Sequence, residues 1–411
     1  MPHHAIVVTF DHWHLGYIGC YGNDWVETPH LDQLAVSGVA FDHCYGENFD
    51  HDAVNHAWWT GRYQFPLSYD EQRRQTTLAD VLRDAGIATR LILESDGGEA
   101  SIPVFDEIHS LPHHDPVEQS TDTDAPFAQL VQRALRVLEE RSPDDNRPSL
   151  WWVKARGIVP PWIPPTDYAD LYYSEFGLDE TAELDSHAED AAYDPALLAQ
   201  EAAAAAEDIT DLQYTRAFYA ACATHRDRWL GKLLEEVRRQ LPDEETLIIV
   251  TAGSGDSLGE HGAPGEESAK LYEEVVHVPF LIRLPASAAG EEGTRRPALV
   301  QSVDLAPTLC DWFGVSAEKL SHDGKSLLPV IRNEQDSVRE TAWVGGADGQ
   351  RGLRTAHHYY LETPIPEGDE FAEVPQHLFH KPFDRWDLAD LARQSPGIVD
   401  ELNQLLKTGP Q

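Results

Sequence analysis

The chain reads as an α/β protein: a mostly parallel central sheet covered by helices on both faces, followed by a small C-terminal α+β subdomain. Two observations lead there. Short β-rich apolar runs at 5–10, 87–93, 149–155 and 246–252 alternate with helical segments, the pattern of strands joined by crossover helices. Beyond about residue 335 the alternation gives way to short strands such as those in GLRTAHHYYLE and a terminal helix near 396–407. The expected division is therefore an N-terminal domain over 1–334 and a C-terminal subdomain over 335–411.

Each element has a local cause. AIVVTF (5–10) is apolar and bounded by the polar DHWH, as a strand buried on both faces should be. Thr28-Pro29 starts a helix that Gly38 stops, and TTLADVLRDAG (76–86) is a helix closed by Gly86 before the strand IATRLIL. A helix at 126–140 precedes SLWWVKA, and a long one across 207–239 precedes TLIIVTA. Residues 166–210 hold 13 Asp or Glu and no Lys or Arg, and end in an alanine-rich run; this reads as a solvated excursion or lid with one helix.

Composition bounds function. The 411 residues carry 31 Lys or Arg against 71 Asp or Glu, a formal charge of −40, with 41% hydrophobic residues and 11 Trp, 14 Tyr and 13 Phe for a core. So acidic a chain repels phosphate backbones and anionic lipid, which excludes nucleic acid and membrane surfaces as expected partners. Lys occurs only at 154, 232, 270, 319, 325, 381 and 407. High acidity with scarce lysine fits a salt-rich cytosol, where dissolved cations screen carboxylate repulsion, and equally an acidic surface kept for solubility. No segment approaches the ~20 apolar residues of a membrane span. The start of the sequence lacks the marks of a secretion signal, and Cys20, Cys44, Cys222 and Cys310 form no motif. A reduced, cytoplasmic protein is expected.

In parallel sheets ligands gather at the carboxyl ends of strands. Asp11 and His12, Glu94 to Asp96, and Gly253 to Asp256 all follow such runs directly and should converge on one site.

Several segments, in order, resemble the sulfatase family of the alkaline-phosphatase superfamily: LGYIGCYGNDWVETPHLDQLAVSGVAFDHCY (15–45), TGRY (60–63), TLADVLRDAGIAT (77–89), PPWIPP (160–165), LGEHG (258–262), LYEEVVHVPFLIRLP (271–285), SVDLAPTLCDWFGV (302–315), DGKSLLPVI (323–331) and HLFHKPFDRWDLADLA (377–392). The resemblance implies an alkaline-phosphatase-like fold. It also implies a chemistry with three parts: a Cys or Ser oxidised to formylglycine, a divalent cation, usually calcium, on oxygen ligands, and cationic side chains that neutralise the sulfate.

This sequence departs from the family at each part. His51, in HDAVN, stands at the nucleophile position, with Ala53 and Asn55 where the motif has Pro and Arg. Glu94 and Asp96 replace a sulfate-binding Lys and a His, and Val159 replaces the His of a PHxP motif. Of the metal ligands, Asp11 remains, His12 stands where a second Asp or a Gln is common, and Gly253 and Ser254 replace an Asp and its neighbour. Lys270 lies near the position of a family lysine. A like-charge pair at ~4 Å and an effective dielectric near 20 costs about 4 kcal/mol, so a sulfate ester is excluded and the pocket is expected to prefer cations.

The expected function is thus a sulfatase-like pseudoenzyme that binds a small molecule or partners a protein, with no cofactor. The alternative is an active hydrolase of sulfuric or phosphoric esters with one divalent cation at a rebuilt site of Asp11, His12, His51 and Asp96, since imidazole with carboxylate suits zinc, nickel or iron(II). His14 and His56 either join such a site or fill the space of lost ligands. Asp256, Glu260 and His261 are expected to serve their loop, and Trp58, Trp59, Trp151 and Trp152 the core.

Overall fold

The computed structural model describes residues 3–64, 75–95, 103–112, 120–142, 145–160, 162–169, 171–172, 209–261, 264, 271–285, 288, 292–346, 349–363 and 375–410. The strands are β1 (His4–His12), β2 (Val39–Tyr45), β3 (Ala88–Ser95), β4 (Glu107–Pro112), β5 (Ser149–Gly157), β6 (Thr246–Ser254), β7 (His277–Val278), β8 (Phe280–Arg283), β9 (Thr294–Gln301), β10 (Thr341–Gly345), β11 (Arg351–Thr355), β12 (His358–Glu362) and β13 (Gln376–His380). The helices that matter below are α1 (Pro29–Val36), α2 (His51–Thr60), α3 (Leu78–Asp84), α4 (Pro126–Glu139), α5 (Thr166–Ala169), α6 (Ile209–Gln240), α7 (Glu273–Val276), α8 (Leu305–Trp312), α9 (Leu328–Ile331) and α10 (Pro396–Thr408).

The large sheet runs β4-β3-β5-β1-β6-β8-β2-β7, with β9 on β2. Its first five strands are parallel, but β8 pairs antiparallel with both β6 and β2. The sheet is therefore mixed, an outcome the apolar run of β8 alone does not reveal because direction leaves no mark in composition. All nine residues of β1 are buried, as its central position between β5 and β6 requires. At the edge, β4 alternates exposed and half-buried residues.

Local signals explain the helix ends. Thr77 and Asp80 form a reciprocal capping box at the start of α3, and Gly86 follows it at φ +79°, so the helix stops where the sequence says. Trp58, Trp59, Trp151 and Trp152 lie in the core. The acidic excursion begins with α5 and ends in α6, and residues 173–208 fall outside the described residues. No described helix is long and apolar enough to cross a membrane.

The second sheet is an antiparallel meander, β10-β11-β12-β13, backed by α10. It joins the large sheet through buried polar contacts: Gly345 N donates to Glu47 O at 2.8 Å, and Gln301 bridges both backbone groups of Trp343.

Candidate functional site

Three strand ends build the site. The ladder sets His12 opposite Gly157 of β5 on one side and Ser254 of β6 on the other, so Asp11, His12 and the two neighbouring ends share one rim of the sheet. Gly157 adopts φ +90°, and a Cβ there would lie 2.1 Å from His12 O; only glycine permits this approach.

Lys154 breaks an otherwise apolar strand. Leu150 to Val153 and Ala155 are all buried, and Lys154 lies opposite Thr9 in the ladder. Side chains alternate along a strand, so Thr9 and Asp11 share a face, and Lys154 Nζ reaches Asp11 Oδ2 at 3.0 Å. The two side chains are 3% and 7% exposed, so the opposite charges neutralise one another within the protein.

His12 is held from both ends. Its Nε2 lies 2.7 Å from His51 Nε2, and its Nδ1 lies 3.0 Å from Ser254 Oγ and 3.3 Å from Asp256 Oδ1. A carboxylate only accepts, which assigns the proton to His12 Nδ1 and leaves Nε2 to accept from His51. Ser254 Oγ in turn donates to Asp11 O at 3.3 Å. Behind Asp256, the Tyr219 hydroxyl donates to Oδ2 at 2.8 Å while accepting from His14 N. Burial, with Asp256 beside it, raises the Tyr219 phenol well above its ordinary pKa, which keeps it a donor. The result is a chain of polar contacts from Tyr219 through Asp256 and His12 to His51.

His51 is the first residue of α2, and Asp50 caps that helix by accepting from Ala53 N at 2.9 Å. Asn55, one turn on, is buried, and its Oδ1 has no hydrogen-bond partner among the described residues. His56 contacts Thr60 of its own helix. His14 accepts from Gly16 N and approaches Glu260 at 3.6 Å; burial pushes the Glu260 carboxyl up, but His14 and the Leu258 N–H together bring it below its usual range.

Glu94, at the end of β3, is buried and accepts from Arg156 N at 3.1 Å. With Val159, Trp162 and Arg226 it lines a cleft of about 500 Å³ including its open mouth. Arg226 donates to the carbonyls of Gly157 and Cys222, so its guanidinium ties the loop after β5. Gly253 has a steric reason to be glycine, since a Cβ there would stand 2.9 Å from Val54 Cγ1 and 3.2 Å from Asp11 O. Asp96 and Lys270 lie outside the described residues.

The structure brings Asp11, His12, His51 and Ser254 to one strand-end rim, with Asp256 from the segment expected to converge there; sequence reasoning misses Lys154, Tyr219 and the contact of Asp256 with His12. Lys154 leaves a signal: a lone lysine inside WWVKA, in a chain with seven lysines. Asp256, expected to serve only its loop, anchors His12. The expectation of a pocket rich in uncompensated carboxylates also changes, because Asp11 carries its own cation and Glu94 a backbone donor.

A mixed sheet with its site at the parallel strand ends and an antiparallel C-terminal meander define the alkaline-phosphatase-like class of folds. Within it, the profile of the sulfatase family matches residues 3–315, and the chain belongs to that family. It is 23% identical to the N-acetylglucosamine-6-O-sulfatase of Bacteroides thetaiotaomicron over 95% of this chain and 80% of that protein. It is 22% identical to the ulvan-active sulfatase of Formosa agariphila over 87% and 72%. Among solved structures, one in complex with its substrate D-glucosamine-2-N,6-O-disulfate superposes with TM-score 0.77 at 21% identity, covering 99% of this chain and 97% of that one. The phosphonate monoester hydrolase of Agrobacterium radiobacter gives 0.77 at 19% identity, covering 99% and 95%.

The residues present do not fit the family's calcium. That ion takes six to eight oxygens at about 2.3–2.6 Å. Here Asp11 is paired with an ammonium, position 253 offers no side chain, the Ser254 hydroxyl is bonded to His12 and Asp11 O, and His12 pairs with Asp256. Among the described residues, no three His, Cys, Asp or Glu side chains converge as a metal centre.

Proposed function

We propose that this chain is a sulfatase-family protein that does not hydrolyse sulfate esters through formylglycine, and that it acts by binding a small molecule or a partner protein. The observation that carries this reading is the state of position 51. His51 has no thiol or hydroxyl to oxidise, and its ring is hydrogen-bonded to His12 rather than presented to a substrate alone. Support comes from Asn55, Glu94, Val159 and Gly253, each of which removes a cationic or metal-binding group that the resemblance calls for. Co-expression with a formylglycine-generating enzyme should leave aryl sulfates unhydrolysed, and His51→Cys by itself should not restore turnover. Sulfate release by wild type, lost in His51→Ala, would overturn the reading. The free thiols Cys20, Cys44, Cys222 and Cys310 fit a reducing compartment, in keeping with a cytoplasmic protein.

One observation favours a second reading, a hydrolase of sulfuric or phosphoric esters with a divalent cation held by Asp11, His12, His51 and Asp96. The imidazoles of His12 and His51 aim their Nε2 atoms at each other, an arrangement of the ligand type that suits zinc, nickel or iron(II). Lys154 on Asp11 counts against it. Elemental analysis of the purified protein separates the two: about one transition-metal ion per chain supports the hydrolase, and none supports the binding protein.

A further inference from the structure

We propose that the Lys154 ammonium is a built-in counter-ion at Asp11, standing in for the divalent cation of the family, so that this chain holds its strand-end pocket together without metal. The inference rests on reading the pocket as stripped of sulfatase chemistry. It is read out in cation binding and melting rather than turnover, so either can fail alone.

The argument starts from the cost of buried charge. A carboxylate as enclosed as Asp11 needs a positive partner, and an ammonium in the middle of an apolar strand needs a negative one. At 3.0 Å each group supplies what the other lacks. The pairing is built by the fold and not by a flexible surface contact. Lys154 stands opposite Thr9, and Trp152, two residues earlier on the same face, donates its indole N–H to Thr9 Oγ1 at 3.0 Å, which fixes the surface across which the lysine reaches.

The surroundings have closed on this arrangement. Val54 of α2 packs where a side chain at 253 would project, 2.9 Å from the position of its Cβ, so a second carboxylate could not return without a shift there. The Ser254 hydroxyl turns toward Asp11 O, and His12 turns its Nδ1 toward Asp256. The Lys154 ammonium thus meets the Asp11 carboxylate directly, where a divalent ion would require several oxygens that the described residues do not bring together.

The test compares wild type, Lys154→Met, Asp11→Asn and the double variant by thermal melting. All are held at about 1 M KCl, so that the Debye length of about 3 Å suppresses general screening by added ions. Each is melted in EDTA and in millimolar CaCl2 or MnCl2, and wild type and Asp11→Asn are titrated calorimetrically with both ions. Wild type should melt at one temperature in all three solutions. Lys154→Met should melt well below wild type, and adding Asp11→Asn should recover most of the loss, because the stranded carboxylate is then gone. Saturable binding of Ca²⁺ or Mn²⁺ to wild type that Asp11→Asn abolishes overturns the proposal. So does a double variant no more stable than Lys154→Met. If Lys154→Met fails to fold, the wild-type titration and the double variant still decide the matter.

Discussion

Two buried charge clusters, at the strand-end pocket and at the seam between the two sheets, solve the same problem differently. At the seam, Glu273 at the start of α7 lies 3.2 Å from Lys381 Nζ and 3.5 Å from Arg354 Nε, with His277 at 2.8 Å and the Tyr45 hydroxyl donating at 2.8 Å. Burial pushes the Glu273 carboxyl up, but His277, Lys381 and Arg354 together hold it far below its ordinary range. Lys381 also reaches Asp387 Oδ1 at 2.6 Å, and Arg339 pairs with buried Asp304. Here one carboxylate, Glu273, draws on several cations, and Lys381 is shared between Glu273 and Asp387, which fastens α7 to the second sheet. In the pocket, the Lys154 ammonium pairs directly with the Asp11 carboxylate, and a chain of polar contacts runs from Tyr219 through Asp256 and His12 to His51. The seam charges tie α7 to β11 and to the residue after β13, whereas the pocket pair joins the neighbouring strands β1 and β5.

The comparison can be broken or sharpened by perturbing each side. The largest effect should come from the seam: Lys381→Met removes the cation paired with Asp387 and one of those on Glu273, and should cost about 3–5 kcal/mol by urea unfolding, the range for removing one partner of a buried pair. A loss below that of an ordinary surface substitution would mean the seam is not held by charge.

Glu47, also at the seam, sharpens the picture through pH. Burial raises its carboxyl from 4.5 to about 7 although one oxygen accepts from Val303 N at 2.7 Å, which acts in the opposite direction; the other oxygen has no hydrogen-bond partner among the described residues. An acid with a raised folded-state pKa binds its proton more tightly when folded. Its contribution to stability is therefore full below pH 4.5 and is lost as pH rises through about 7. Glu47→Gln should be more stable than wild type at pH 8, by up to the order of 3 kcal/mol, with the gap closing toward pH 5. Urea midpoints across that range measure it, and a gap independent of pH would refute the assignment.

Salt should act on the surface and spare the seam. With a formal charge of −40, wild type should gain a few degrees in melting temperature between about 0.1 and 1 M KCl, as the Debye length falls from about 10 to about 3 Å. A nonionic osmolyte at matched osmolarity should do less. The cost of Lys381→Met should hardly change over the same range, because buried pairs escape screening. A level or falling curve would leave the acidity as ordinary solubility. The smallest effect belongs to the pocket rim: His51→Ala, at a half-buried position that bonds His12, should cost about 1 kcal/mol or less in the same urea assay.

Much of the fold was legible because its signals are local. The strand AIVVTF, the Thr77 capping box and Gly86 each act within a few residues, and the elements stand where those residues put them. The direction of β8 was not legible, since antiparallel pairing with β6 and β2 is a property of the chain's path. In the site, the losses at 51, 55, 94, 159 and 253 could be read by position, but their compensation could not. Lys154 is five residues from Val159 in sequence, yet its partner Asp11 is 143 residues away, and only the β1–β5 register brings the two together. Asp256 and Tyr219 likewise meet His12 and His14 across separate elements.

The most direct test of the central claim is sulfate release. Purified wild type, produced with and without a formylglycine-generating enzyme, would be incubated with an aryl sulfate beside His51→Ala and His51→Cys, and free sulfate measured. The account predicts that all preparations match the enzyme-free blank. Release by wild type that His51→Ala abolishes would contradict it, and would show that the pocket still performs the chemistry of its family.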